Sequence, residues 1–487
     1  MSPWSSVLPA PGPVAAPDAA PVPAARPRGA HRARRAARPQ RRWWVEVALV
    51  TVVGFGIRLG TVLGRPGRKP GGDAYYYHYA ANLLVGGYGF IDPWKYYLGH
   101  PKHQLVQTAD WPPLFVWVLA MAAVVGFKSF FAQRVWCCVV GAAAVVVCGL
   151  AGREVAGRRA GLIAALLAAV YPNLWMSDEL ALSETLTPLL VALVLWCTFR
   201  FWKKPTYGRM VALGLSLGVA ILGRDELALL IPFVLVPMAL FARARLRRRL
   251  ALAGMGTLTA LTVVAPWVGY NMSRFQDPTF VSTGFGVTLA SANCDITWAG
   301  RYEGYWSLQC SLKAPINQRV DKSVQSAEAE SYGVHYIRTH LHRIVPVELA
   351  RLGRAFGAFH PTWQVWLDYY VETRPYHWAL AGLGMYYALV ALSLGGTVVL
   401  RRRRVPVSPL WAVGAVVAVV ALVTFGQTRF RTPFEVSLVL MAAVALDGAW
   451  GRLRRAGPPP DTVHGPPRRV LAEAPPAPGA PAASPAT

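Results

Sequence analysis

Gly71-Gly72-Asp73-Ala74-Tyr75-Tyr76-Tyr77-His78-Tyr79-Ala80-Ala81-Asn82-Leu83-Leu84-Val85-Gly86-Gly87-Tyr88-Gly89-Phe90 is the stretch on which the reading of this chain turns. Asp73 stands at a helix start, and Tyr76, Tyr77, Ala80 and Leu84 follow on one face at i+3/i+4 spacing. The glycines at 86, 87 and 89 end that helix. On spacing alone, Asp73 is an N-cap worth about 1 kcal/mol and the tyrosines form an interfacial aromatic belt.

Outward from this segment the chain alternates apolar runs with arginine clusters. Of its 487 residues 54% are hydrophobic and 15% charged, whereas a soluble domain carries about a quarter charged residues. The pattern is that of an all-α polytopic membrane protein. The net charge of +26 sits in the tails and between apolar runs, where membrane orientation needs it, so it does not argue for nucleic acid. Six cysteines do not make a disulfide scaffold in a chain of this kind.

The spacing predicts ten spans: 43–63, 134–151, 160–176, 184–201, 208–223, 227–241, 250–269, 376–400, 408–425 and 433–450. No small-residue cleavage site follows the first, so it reads as a retained span and not a signal peptide. The stretch 111–127 begins Trp111-Pro112-Pro113 and is short. If it crossed, the basic clusters at 153–159, 203–204, 243–249, 401–404 and 452–455 would fall outside. Kept as a re-entrant or interfacial helix, it leaves them all in the cytoplasm. Residues 1–42 and 451–487 then read as disordered cytoplasmic tails, the first basic and able to meet anionic lipid. Two long loops lie outside, at 64–133 and at about 271–375, the latter long enough for a small subdomain.

The quoted segment resembles the first-loop signature of the GT-C membrane glycosyltransferases. It is most similar to the bacterial branch related to glycosyltransferase family 39, with protein O-mannosyltransferases and lipid A aminoarabinose transferases as cousins. The matching residues are Asp73-x-x-Tyr76-Tyr77, Ala80, Asn82, Leu83 and Gly87-x-Gly89. Trp111-Pro112-Pro113-Leu114-Phe115 resembles that branch's juxtamembrane helix start, and Leu182-Ser183-Glu184-Thr185-Leu186 its Ser-Glu-Thr-Leu helix start. Pro266-Trp267, Asn271 and Phe275 resemble its entry to the large outer loop, and Arg429-Phe430-Arg431-x-Pro433 its late arginine turn. The five motifs run in family order from residue 43 to 450. Ala74 departs from the acidic pair common after the first aspartate in that family, which weakens a two-carboxylate motif there.

The resemblance implies a GT-C-like helical bundle of about ten spans, with a juxtamembrane helix in the first outer loop and a larger outer-loop subdomain. It implies a sugar moved from a polyprenyl-phosphate donor to an acceptor hydroxyl on the extracytoplasmic face of the plasma membrane, with inversion. The acceptor it implies is a protein, a lipid or a glycan. A phosphate leaves well enough for a single general base to serve, and fixed cations can stabilise its charge in a poorly hydrated site.

Asp73 is the expected base. Glu184 is a second catalytic candidate, and Asp178, with Glu179 beside it, competes for the same role; an ordinary first-turn acid is the plain alternative for Glu184. A carboxylate there could orient the acceptor or hold a divalent cation; no cofactor is assigned. Tyr76, Tyr77 and His78 are candidate substrate-binding residues, as is Arg224 in the charged triplet Arg224-Asp225-Glu226. Arg429 and Arg431 are candidate phosphate ligands, since arginine grips phosphate oxygens bidentately; snorkelling is the alternative. Cys294 and Cys310, alone among the cysteines in outer loops, are expected to form a disulfide. The histidines at 335, 340 and 342 lack the i, i+4 spacing of a zinc site and read as part of a helix lying on lipid. The rival functions are an oligosaccharyl ligase with a diphosphate-linked donor, a secondary transporter, and a scaffold without catalysis.

Overall fold

A computed structural model describes residues 28–453. The described residues divide between Val45 and Glu46 into two units; the described part of the first is helical, and the fold and candidate site belong to the second. Most of the tails expected at 1–42 and 451–487 lies outside the described residues. Residues 28–42 begin the helix Arg28–Leu63. Among the described residues there is no strand, and the only pairing of that type is an isolated bridge between Ile91 and Gln107.

Among the described residues, six helices are long and apolar enough to cross a membrane: Arg41–Leu63, Phe130–Ala156, Ser183–Lys203, Leu246–Met272, Tyr376–Arg402 and Thr428–Gly451. A seventh results if Arg158–Val170 and Pro172–Leu180, bent by 46° at their junction, count as one. Ten spans were expected. Pro172 cannot continue the hydrogen-bond ladder, which breaks the span expected at 160–176. Tyr207–Gly223 and Ser408–Val423 have 17 and 16 residues, or about 25 Å of helix against a hydrocarbon core of about 30 Å. The stretch 227–241 carries Pro232 and Pro237 and divides into the short turns Asp225–Leu229, Ile231–Leu235 and Val236–Leu240. Leu114–Val124, at 11 residues, is too short to cross.

The basic clusters gather at one end of the bundle. Lys203 pairs with Glu154 at 2.9 Å, Arg248 donates to the Pro205 carbonyl at 3.2 Å, and Arg403 reaches Asp447 at 3.4 Å. The helix ends carrying Glu184, Arg224 and Arg429 are the opposite ends of these same helices. Small residues let the helices approach: an added Cβ at Gly152 would stand 2.8 Å from the Ala164 methyl, the close contact by which apolar helices associate where no hydrophobic drive separates them from lipid.

The larger loop folds on itself. Cys294 and Cys310 are disulfide-bonded, and Asn293 accepts from Trp298 at 3.0 Å and from Arg351 at 2.8 Å. Trp298 and Tyr305 are buried, so these two rings belong to the loop's own core. Lys322 clasps the two long loops together, with its ammonium 2.8 Å from Asp92 and 3.2 Å from Asp110. Leu341, Val345 and Leu349 stand exposed at i+4 intervals, a stripe suited to a membrane surface.

Candidate active site

The helix Asp73–Val85 is capped by Gly72, not by Asp73, which makes no capping hydrogen bond. Gly72 has φ 55° and ψ −133°, a backbone region open almost only to glycine. Asp73, in the first turn, is thereby free to aim its carboxylate elsewhere. It accepts a hydrogen bond from Nη1 of Arg429 at 2.5 Å.

Arg429 sits on the 3-10 turn Thr428–Arg431 that opens the last span. Its guanidinium faces three carboxylates: Asp73 at 2.5 Å, Glu372 at 3.6 Å and Glu184 at 3.8 Å. Glu184 lies on the 3-10 turn Ser183–Thr185, where Pro188 makes the following helix start afresh. Its Oε1 also accepts from Arg224 at 2.8 Å, and Arg224 donates at 2.5 Å to Glu226. The Phe430 ring lies under both guanidiniums, 5.8 Å from Arg224 and 5.9 Å from Arg429. Gln427 donates to the other oxygen of Glu372.

The cluster is largely withdrawn from water, the Glu184 side chain being 3% exposed and that of Glu372 7%. Burial lifts the Glu372 carboxyl above its ordinary range, against the pull of Arg429 and Arg374. Burial and then the neighbouring Glu226 push Asp225 up to about 6, and its Oδ2 accepts from Ser282 at 2.5 Å. Glu184 Oε2 and Arg429 Nε are buried without hydrogen-bond partners. Unmet polar atoms of this kind, in a pocket of paired charges, mark a place where a ligand can complete the pairing.

Of the residues singled out in the sequence, Asp73, Glu184, Arg224 and Arg429 meet here. Tyr77 lies alongside, packed edge-on against Phe115 at 4.9 Å; burial, and then the Asp73 carboxylate, raises its phenol pKa. Tyr76 is buried against Trp94 and Trp111, and His78 shares a hydrogen bond with Gln133 at 2.8 Å. Both hold the first-loop helix against its neighbours. Asp178 is elsewhere, in a buried pair with Arg58 at 2.8 Å, while Arg58 also donates to the carbonyls of Gly54 and Ala168. Arg431 pairs with Glu435 at 2.8 Å and stacks on Tyr386. Asp178 and Arg431 therefore do not join the cluster.

The sequence reading passed over Glu372, Arg374 and Gln427. The visible signal was Glu372-Thr373-Arg374 immediately before Pro375 and a span, the same crowding of charge at a span end that drew notice to Arg224-Asp225-Glu226. Among the described residues no three His, Cys, Asp or Glu side chains are grouped to hold a metal ion.

Residues 110–270 match the family model described as dolichyl-phosphate-mannose-protein mannosyltransferase, a match covering neither Asp73 nor Arg429. No curated protein matches by sequence. Among solved structures, the oligosaccharyltransferase of Archaeoglobus fulgidus in its apo form superposes with a TM-score of 0.52 at 15% identity over 85% of this chain. The same organism's AglB, in complex with an inhibitory peptide and a dolichol-phosphate, gives 0.51 at 14% over 84%. ArnT from Cupriavidus metallidurans, bound to undecaprenyl phosphate, gives 0.42 at 15%, covering 84% of this chain and 79% of that one. The chain spans about half the length of the archaeal enzyme, 51% and 50% in the two structures. With its helical bundle, its short helix in the first loop and its charged cluster at the loop-bearing end, the chain has the GT-C fold.

Proposed function

We propose that this protein is an integral-membrane glycosyltransferase that moves a hexose or pentose from a polyprenyl-phosphate donor to an acceptor hydroxyl on the extracytoplasmic face. The observation that carries the reading is the 2.5 Å contact between Asp73 and Arg429, which joins a base to a phosphate-binding cation within a largely buried cluster. Asp73 takes the acceptor's proton as its oxygen attacks the anomeric carbon. The bond from that carbon to the phosphate oxygen breaks, its electrons leaving with the phosphate.

Arg429 and Arg224 receive the growing charge. The guanidinium of Arg429 has five N–H donors, and its Nε is unused. Glu184 and Glu372 hold Arg429 in place and favour the positive charge that develops on the sugar. A donor phosphate drawing Arg429 toward itself would loosen its hold on Asp73 and free that carboxylate to act.

A second reading draws on the fold shared with an oligosaccharyltransferase: the same cluster serving a ligase with a diphosphate-linked donor. One experiment separates the two. Membranes carrying the protein are given labelled sugars linked through polyprenyl phosphate or polyprenyl diphosphate, with native membrane extract as acceptor source, and wild type is compared with Asp73→Asn. Asn preserves volume but cannot take the proton. Transfer from a monophosphate donor that falls by about 100-fold or more in the variant supports the reading. Use of diphosphate donors alone selects the ligase, and transfer untouched by the substitution removes Asp73 from the chemistry.

A further inference from the structure

A second polar feature lies beside the cluster and takes no part in it. A basin of about 500 Å³ is lined by Arg65, Gly67, Arg68, Lys69, Gly71 and Thr373. Its three cations are poorly balanced. The carboxylate of Glu179 is shared among Arg68 at 2.8 Å, Arg65 at 3.5 Å and Arg134 at 3.7 Å. Lys69 is exposed and, among the described residues, forms no ion pair. Arg68 is fixed by donating to the carbonyl of Thr373 at 2.6 Å and to its hydroxyl at 2.5 Å. Arg65 is half-exposed. Arg374, next in the chain after Thr373, is buried with Nε and Nη2 unpartnered.

The basin adjoins the chemistry through the backbone. Gly71 is two residues before Asp73, at most about 7 Å along an extended chain, and Thr373 directly follows Glu372. The basin and the carboxylates of Asp73 and Glu372 are thus borne by the same two short chain segments. Arg224 and Arg429 are deeply placed at the bundle end, with side chains 10% and 14% exposed, where a bilayer-embedded phosphate can reach them. Arg65 and Lys69 are exposed outside the spans and suit a group arriving from water.

We infer that the basin at Arg65, Arg68 and Lys69 binds a phosphate carried by the acceptor, so that the acceptor is a phosphate-bearing carbohydrate and not a neutral one. The inference rests on Asp73 being the base of the glycosyltransferase proposed above. The phosphate of a membrane headgroup offers the same chemistry, and the test separates the two sources.

The full chain is reconstituted in nanodiscs of phosphatidylcholine, and binding of mannose 6-phosphate and of mannose is measured by calorimetry. Wild type is compared with Arg65→Ala/Lys69→Ala, two exposed positions whose loss leaves the Arg68–Glu179 pair in place. Wild type is expected to hold the phosphorylated sugar at least about 10-fold more tightly than mannose, with the double variant losing that margin. Polyprenyl phosphate should bind both proteins alike. Equal binding of the two sugars by wild type, or an unchanged margin in the variant, overturns the inference. So does a loss confined to polyprenyl phosphate, which would make the basin part of the donor site. Repeating the measurement with phosphatidylglycerol in the discs tests the other source: a margin abolished by this lipid assigns the basin to headgroups and overturns the acceptor role. A protein that keeps the margin yet transfers from no donor refutes the glycosyltransferase reading while leaving the anion site standing.

Discussion

Nη1 of Arg429 lies 2.5 Å from Oδ2 of Asp73, although 356 positions separate the two residues in the chain. The first long loop and the start of the last long helix thus meet at one ion pair. Glu184 and Glu372 also face that cation, at 3.8 and 3.6 Å, with Arg224 as a second partner for Glu184. Replacing Arg429 with Gln is expected to leave these carboxylates facing one another without it, at a cost of about 3–5 kcal/mol. Thermal unfolding in detergent should show R429Q well below D73N, and transfer should be lost in both.

Asp178 gives the opposite signature. Asp178→Asn removes the counter-charge of a buried arginine without touching the cluster, so stability is expected to fall by about 3–5 kcal/mol. Transfer per folded molecule should stay within about threefold of wild type, since a group that touches no reacting atom contributes little to kcat. A large fall in kcat with unchanged stability would return Asp178 to the chemistry.

Gly72→Ala should act through the backbone. An added Cβ meets nothing within 4 Å, so the cost comes from φ 55° alone, about 1–3 kcal/mol. The helix start is expected to relax and carry Asp73 away from Arg429. Transfer should drop along with stability, whereas Gly71→Ala, at a neighbour without positive φ, should be milder in both measurements.

Asp225 makes a pH prediction with a definite sign. Its folded pKa is raised from 3.8 to about 6 by burial and by Glu226, with Ser282 and Arg224 opposing. A raised carboxyl pKa means that the folded state binds more protons than the unfolded chain in this window. The resulting stabilisation is fully present below about pH 4 and is lost as pH rises through about 6. Relative to Asp225→Asn, wild type is therefore expected to lose thermal stability between pH 4 and 6.5. Parallel melting curves for the two proteins across this range would contradict the assignment.

Cys294→Ser/Cys310→Ser is expected to loosen the larger outer loop by about 3 kcal/mol on the chain-entropy account. Hydrogen exchange should rise in 285–340 and leave the bundle helices unchanged. Faster exchange spread through the spans would mean that the disulfide supports more than its own loop.

Much of the fold was legible in the sequence because its causes are local. Apolar runs and arginine clusters mark a polytopic helical protein and gather the basic residues at one end, since the bilayer acts on hydropathy and charge segment by segment. Asp73 opens its helix as the spacing indicates, although the capping belongs to Gly72. Fewer helices reach full crossing length than the ten expected, because Pro172, Pro232 and Pro237 break two of the expected spans and Tyr207–Gly223 and Ser408–Val423 stop at 17 and 16 residues.

The membership of the site was decided by the tertiary structure. Arg429 and Arg431 are equivalent in the sequence, but on a 3-10 turn two positions are about 240° of rotation, so one faces Asp73 and the other Glu435. Asp178 and Glu184 likewise look interchangeable until the helix path places the first against Arg58. Glu372 and the basin beside it exist as features only once loops hundreds of residues apart are brought together. Sequence by itself determined the helical class and the separation of the basic clusters from the charged helix starts, because hydropathy, charge and turn residues act locally. Which charges pair depends on the distances between segments that only packing sets.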